Sequence, residues 1–171
     1  MLSFVHADDA DKVCSSTGCT MDESALREGA YVIAAYVGVF YIGILGQAIA
    51  QKRLLYAYKA RGERFDRYYN VVDKPMLGWD RVVGNFLEQA LPFLTLFMMN
   101  IALATWGVTS SSRVRSAGWI YVAFRALYPV AWFYGGGSRG GAGPIILTST
   151  VAMYAVIIFL LVNMLQAVEK L

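Results

Sequence analysis

The sequence predicts an all-α integral membrane protein with four membrane-spanning helices. The chain has 171 residues, of which 57% are hydrophobic and 16% are charged, and its mean hydropathy is +0.47. Soluble domains carry about 45–50% apolar and about 25% charged residues. The excess of apolar residues is also gathered into long runs, as in helices that cross a bilayer. This composition excludes an ordinary soluble enzyme domain, a disordered chain and a nucleic-acid-binding module.

Four apolar runs are long enough to cross the hydrocarbon layer as helices, which takes about 17–25 residues. They are predicted over 30–50, 82–108, 117–134 and 144–168. The first contains one strongly polar residue, Gln47; the second and third contain one charge each, Glu88 and Arg125; the fourth contains no charge. The chain is thus predicted to consist of an acidic tail, 1–28, and a four-helix membrane domain, 29–171.

The charges between the runs predict the orientation of the helices. The segment 51–81 carries eight Lys and Arg residues, whereas 1–29 carries two, together with six acidic residues. Basic loops stay on the cytoplasmic side, so this asymmetry places 51–81 and the loop around Arg139 in the cytoplasm and both termini on the opposite side. We expect a multi-pass protein of the endoplasmic reticulum or another organelle membrane.

The tail holds the residue types that most often form metal or nucleophilic sites. His6 is the only histidine of the chain, and Cys14 and Cys19 are its only cysteines. A Cys-x4-Cys pair without neighbouring histidines does not have the spacing of a zinc site. We therefore expect no metal site and no histidine-based nucleophile in the membrane domain. The tail is predicted to be exposed, with one local disulfide if it faces an oxidising compartment.

The clearest functional pattern is a row of polar residues around the start of the second run. Arg81, Asn85, Glu88 and Pro92 follow each other at spacings of four, three and four residues, which places them on one face of a helix. Ionisable residues inside a membrane are energetically costly, so they indicate a functional site by default.

A second stripe lies on the third run, where Arg125, Tyr128 and Trp132 also share one helix face. Together the two stripes predict a polar pocket between helices that suits a small zwitterion with several carboxylates. A structural interpretation is equally open, in which Glu88 and Arg125 form a buried ion pair. Asn85 and Tyr128 would then form interhelical hydrogen bonds. A solvent-reachable cleft would favour the ligand, and a direct Glu88–Arg125 pair without a cavity would favour the structural role.

The stretch 81–93 resembles the signature at the start of the second helix in the MAPEG superfamily, the membrane-associated proteins in eicosanoid and glutathione metabolism. Members carry an Arg-x3-Asn-x2-Glu-x3-Pro-like pattern there, and their third helix has a stripe similar to Arg125-x2-Tyr128. The four-helix layout and the basic first loop agree with the resemblance, which spans 30–168. It implies a four-transmembrane-helix bundle of MAPEG type that assembles as a homotrimer.

The resemblance also implies a co-substrate and roles for individual residues. Glutathione would lie in a cleft between neighbouring subunits, open to the cytoplasmic side. Its ligands would be Arg81, Asn85, Glu88, Arg125 and Tyr128. Arg139 lies fourteen residues after Arg125 and corresponds to an arginine that stabilises the glutathione thiolate in several members.

Two functions follow as expectations. The first is a glutathione transferase or peroxidase that conjugates or reduces lipophilic electrophiles or lipid hydroperoxides. The alternative is a non-catalytic MAPEG-fold scaffold, a lipid-binding adaptor or an accessory subunit of a larger membrane complex. The expected partners are membrane lipid, a lipophilic small molecule and further subunits, and no nucleic acid. We expect the polar residues to face a subunit interface and not lipid.

Overall fold

Four α-helices make up the part of the chain that the computed structural model describes, residues 22–67, 72–134 and 143–169. They are α1, Glu23–Ala60; α2, Lys74–Thr105; α3, Ser111–Tyr134; and α4, Pro144–Val168. The described residues are therefore all-α, as the sequence predicts. His6, Cys14, Cys19 and Arg139 lie outside the described residues.

Local sequence signals determine where the helices begin and end. The Asp22 carboxylate accepts hydrogen bonds from the backbone N–H groups of Ser24 and Ala25 and so caps the first turn of α1. The Ser24 hydroxyl also donates to this carboxylate and lowers the pKa of Asp22, because the hydrogen bond stabilises the charged form. A proline occupies the first turn of both α2 and α4, where its missing N–H is not needed. Gly62 and Gly107 adopt positive φ angles of 71° and 73° just after α1 and α2, a conformation that commonly ends helices.

Three of the described helices, α1, α2 and α4, are long and apolar enough to cross a membrane. This finding is consistent with a multi-pass membrane protein. α4 has the bounds of the predicted fourth run, whereas α1 begins at Glu23, inside the predicted tail, and α2 begins at Lys74, ahead of the predicted second run. The predicted third span lies in α3, which has 24 residues and is less apolar because it contains Arg125 and several Tyr and Trp residues.

α2 and α3 form the centre of the bundle, and α1 and α4 lie on opposite sides of them. The Asp22 N–H donates to the Thr105 carbonyl over 3.1 Å, so the start of α1 lies beside the end of α2. Gly78, near the start of α2, lies against Phe133, near the end of α3. We call the end where α1 and α3 begin and α2 and α4 end the tail end, and the opposite end the loop end.

Aromatic side chains from three helices fill the centre of the bundle. Phe93 of α2 stacks on Tyr121 of α3 with ring centroids 3.7 Å apart, and Tyr36 of α1 lies 5.3 Å from Phe93. Such pairs contribute about 0.5–1.5 kcal/mol each beyond the area that they bury. The outward faces carry exposed Leu, Ile and Val side chains, as expected where a helix faces apolar surroundings.

Candidate functional site

Two of the predicted site residues, Arg125 and Asn85, meet at the contact between α3 and α2. The Arg125 side chain is completely buried, with 0% of the residue exposed. Its NH1 donates to Asn85 Oδ1 over 2.6 Å, and its NH2 donates to Gln89 Oε1 and to the Tyr121 hydroxyl oxygen, both over 3.0 Å. NH2 also lies 3.3 Å from the backbone oxygen of Asn85. We call these four residues the Arg125 network.

Helical spacing explains why these four side chains converge. Asn85 and Gln89 are four residues apart on α2, and Tyr121 and Arg125 are four residues apart on α3, so each pair shares one helix face. Neither Gln89 nor Tyr121 is among the predicted site residues, because the two polar stripes identified in the sequence include neither position 89 nor position 121. Their four-residue spacing from Asn85 and Arg125 was the signal that could have identified them.

Aromatic rings and neutral acceptors surround the positive charge of Arg125. The guanidinium carbon lies 4.7 Å from the centroid of the Phe86 ring and 5.4 Å from that of Tyr121, within the range of cation–π attraction. No carboxylate of the described residues lies within ion-pair distance of this guanidinium, and Glu88 does not form the pair that the structural interpretation requires. A buried ion without a counter-ion is costly, and here the neutral acceptors and the aromatic rings offset part of that cost.

Two N–H groups of the Arg125 network have no acceptor among the described residues. They are Arg125 Nε and Gln89 Nε2, and Gln89 is only 2% exposed. A buried donor without a partner typically costs about 1–3 kcal/mol. The network therefore contains two buried donors that the other described residues leave unsatisfied.

The remaining described residues of the predicted site lie at different depths around the network. Tyr128 is buried beside Phe86, with ring centroids 6.4 Å apart. Asn85 is half-buried, and both Arg81 and Glu88 are exposed on the outside of α2. Within the polar row of α2, Asn85 thus reaches the network, whereas Arg81 and Glu88 lie on the outer surface of the bundle.

No family model, no curated protein and no solved structure matches the chain. The site is therefore interpreted from its own residues. Its geometry differs from the predicted Glu88–Arg125 ion pair, because neutral acceptors hold Arg125 and Glu88 faces outward. Among the described residues, no group of three or more His, Cys, Asp or Glu side chains is placed to hold a metal ion.

Proposed function

We propose that this chain is a glutathione-dependent transferase or peroxidase of MAPEG type in the endoplasmic reticulum or another organelle membrane. One observation carries the proposal. The buried guanidinium of Arg125 is bonded to Asn85, no carboxylate of the described residues pairs with it, and its Nε donor has no acceptor among them. A site of this kind favours an anionic ligand. Glutathione carries two carboxylates and one ammonium group at neutral pH, so its net charge is negative.

In this proposal all four helices cross the bilayer, so that α3 crosses in addition to α1, α2 and α4. α3 packs against α1, α2 and α4, each of which is apolar enough to cross. Its 24 residues correspond to a length of about 36 Å. An intramembrane arginine is tolerated where neighbouring helices supply its hydrogen-bond partners, and α2 supplies them for Arg125.

Asn85 connects the buried charge to the proposed ligand. Its Oδ1 accepts from Arg125, which leaves its N–H2 group to donate to a glutathione carboxylate. Arg125 then orients Asn85 and contributes its positive field from inside the bundle. Arg81 supplies a second cation for the other carboxylate, and Glu88 accepts from the ammonium group. The Tyr128 hydroxyl provides a further donor.

The exposed charges of α2 require a covering surface. Arg81 and Glu88 lie on the outside of a single chain, and a charge facing the hydrocarbon near its centre costs about 2.5–3.5 kcal/mol on insertion scales. A neighbouring copy placed against this face would remove Glu88 from lipid, cover Arg81 at the boundary of the span and enclose the glutathione. The homotrimer that the resemblance implies supplies such a neighbour, and a subunit of a larger membrane assembly would do the same.

The proposed reaction begins with the glutathione thiol, whose ordinary pKa of about 8.5 leaves it mostly protonated at neutral pH. Arg139 is proposed to favour the thiolate by its positive charge. The sulfur attacks the electrophilic carbon of a lipophilic substrate, and a C–S bond forms as the leaving group departs. With a lipid hydroperoxide, the sulfur attacks the terminal oxygen and the O–O bond breaks to give the lipid alcohol. This step leaves the glutathione sulfur as a sulfenic acid. A second glutathione then reacts with the sulfenic acid to give glutathione disulfide and water.

A non-catalytic scaffold or lipid-binding adaptor is the second candidate, and one observation favours it. The guanidinium of Arg125 already bonds to three side chains within one chain. The network therefore ties α2 to α3 without any ligand. In that case its function is to hold the two helices in register, and glutathione does not bind.

An ultraviolet difference titration of the detergent-purified protein with glutathione at neutral pH distinguishes the two candidates. We expect a saturable thiolate band from the wild-type protein. Asn85→Ala should weaken binding about tenfold, which corresponds to about 1.4 kcal/mol, and Arg139→Ala should retain binding but lose the band.

The control for this titration is Arg115→Gln. Arg115 lies at the tail end and pairs with Glu28 over 3.8 Å, so its replacement removes one arginine without touching the proposed site. Both binding and the thiolate band should be unchanged. Failure of the folded wild-type protein to bind glutathione would contradict the enzyme and support the scaffold.

A further inference from the structure

A polar pocket opens at the tail end of the bundle, between the α2–α3 connection, the start of α3 and the end of α4. Its volume is about 360 Å³. Five of the residues that line it are polar: Thr109, Ser110, Arg113, Asn163 and Gln166. Arg113 precedes Arg125 by twelve residues on α3, a distance of about 18 Å along the helix axis. The pocket is therefore separate from the Arg125 network.

Carboxamide hydrogen bonds between α2 and α4 fix the position of Asn163, one of the residues that line the pocket. Asn163, which is 7% exposed, donates through Nδ2 to Asn100 Oδ1 over 2.6 Å and to Thr109 Oγ1 over 2.9 Å. Asn100 Nδ2 donates in turn to the backbone oxygens of Leu96 and Leu160. Both N–H groups of Asn163 are thus used inside the protein, and its Oδ1 is the atom that it offers as an acceptor.

Arg113 is the one charged residue among the described residues that line the pocket. It is exposed, and no carboxylate of the described residues lies within ion-pair distance of it. Arg115, two residues further along α3, pairs with Glu28 over 3.8 Å. An unpaired guanidinium beside hydroxyl and carboxamide groups is suited to an anionic oxygen ligand.

The position of the pocket connects it with the headgroup layer of the membrane. It lies where α2 and α4 end, and both are long and apolar enough to cross a bilayer. Trp106, at the end of α2, is 59% exposed, as is common for aromatic residues at a membrane interface. Val162 and Leu165, on the last turns of α4, are 45% and 52% exposed and offer an apolar surface next to the polar pocket.

We propose that the pocket binds a phosphate ester, presented as the headgroup of a membrane phospholipid. Arg113 bonds the phosphate oxygens, and the hydroxyls of Thr109 and Ser110 line the same cavity. Asn163 Oδ1 and the Gln166 carboxamide accept from hydroxyl groups of the headgroup. The acyl chains continue along the apolar surface of α4. Phosphatidylglycerol presents a phosphate and two hydroxyls and is therefore the probe of choice.

The first test is native mass spectrometry of the detergent-purified full chain titrated with phosphatidylglycerol. We expect one saturable lipid per chain, with binding weakened about tenfold by Arg113→Gln, or about 1.4 kcal/mol. Arg115→Gln removes the same charge two positions away and should change the affinity by less than about twofold. Equal losses in both variants would show diffuse attraction and overturn the proposal, as would absence of saturable binding.

A second arm separates the two sources of a phosphate ester. Glycerol 1-phosphate has the headgroup chemistry but no acyl chains, so it should displace the lipid only at a concentration about a hundredfold or more higher. Displacement at a concentration equal to that of the lipid would overturn the phospholipid assignment. Circular dichroism of Arg113→Gln should show wild-type helix content because the side chain is exposed. Gln166→Leu is a second, independent variant, because it removes another polar side chain that lines the pocket.

Discussion

Arg125 shows how an ionised side chain is kept inside a bundle of apolar helices. Its guanidinium exchanges water for the side chains of Asn85, Gln89 and Tyr121 and for the ring face of Phe86. Gln89 Oε1 and the Tyr121 hydroxyl both accept from the same nitrogen, NH2. The two acceptors therefore act together, and the loss of one is partly compensated by the other.

We predict that Gln89→Leu and Tyr121→Phe destabilise the protein by more in combination than the sum of their separate effects. Each single variant leaves NH2 with one side-chain acceptor and should lower the free energy of unfolding by about 1–3 kcal/mol. The double variant removes both, so the coupling energy should be about 0.5–3 kcal/mol. Unfolding of the four proteins in denaturing detergent, followed by circular dichroism, measures this coupling. Simple additivity would show that neither acceptor compensates for the loss of the other.

Sequence spacing predicts part of this site. It places Arg81, Asn85 and Glu88 on one face of α2 and identifies Arg125 on α3. It does not predict that Asn85 turns inward while Arg81 and Glu88 face outward, because the rotation of a helix depends on its packing against neighbours. That packing includes Phe86, which is fully buried, and it exists only in the assembled bundle.

α1 and α2 approach each other closely where Gly46 meets Trp79. A β-carbon at position 46 would lie 2.3 Å from the indole ring, whereas one at Gly38, two turns earlier on α1, would have nothing within 4 Å. Small residues at such crossings allow membrane helices to pack closely. The indole cannot easily retreat, because it packs against Phe133 with ring centroids 4.9 Å apart.

We predict that Gly46→Ala lowers the thermal unfolding midpoint and that Gly38→Ala does not. The added methyl group at position 46 overfills a packed contact, which costs about 1–3 kcal/mol. At position 38 only the better helix propensity of alanine remains, which favours the variant by up to about 1 kcal/mol. Thermal unfolding monitored by tryptophan fluorescence tests both. Equal midpoints in the two variants would contradict the close contact between Gly46 and Trp79.

The helix boundaries show what hydropathy can and cannot predict. α4 matches the predicted run because its charge-free segment begins at Pro144, next to a glycine-rich stretch. α1 continues to Ala60, ten residues past the first run, and α2 begins at Lys74, eight residues before the second. A hydropathy run reports the thickness of the hydrocarbon layer, whereas backbone hydrogen bonding continues into water as far as caps and turns permit.

The two ends of the bundle differ strongly in charge. The loop-end segment 51–81 carries eight basic and four acidic residues. Arg67 and Gln47 both bond to Asp80 Oδ1, which holds residue 67 of the connection against the start of α2. The surplus of basic residues predicts that the loop end stays in the cytoplasm.

Cysteine labelling in sealed vesicles tests this orientation and the number of crossings. In a Cys14→Ser, Cys19→Ser background, an impermeant maleimide on the cytoplasmic side should label Glu63→Cys and Gly143→Cys but not Ser112→Cys. Permeabilised vesicles, in which all three must react, provide the control. If Gly143→Cys and Ser112→Cys were both protected from the maleimide, α3 would not cross the membrane, because these two positions flank α3.

The short connection between α2 and α3, which turns at Gly107, also bears on how the chain is synthesised. On an isolated helix, Arg125 would oppose transfer from the translocon into the bilayer by about 2.5–3.5 kcal/mol. Its acceptors Asn85 and Gln89 precede it by 40 and 36 residues, so they leave the ribosome first. In the proposed four-span arrangement, α2 and α3 can therefore partition into lipid as one hairpin whose charge is already bonded. The order of helices along the chain thus makes the partners of the guanidinium available before Arg125 itself has been synthesised.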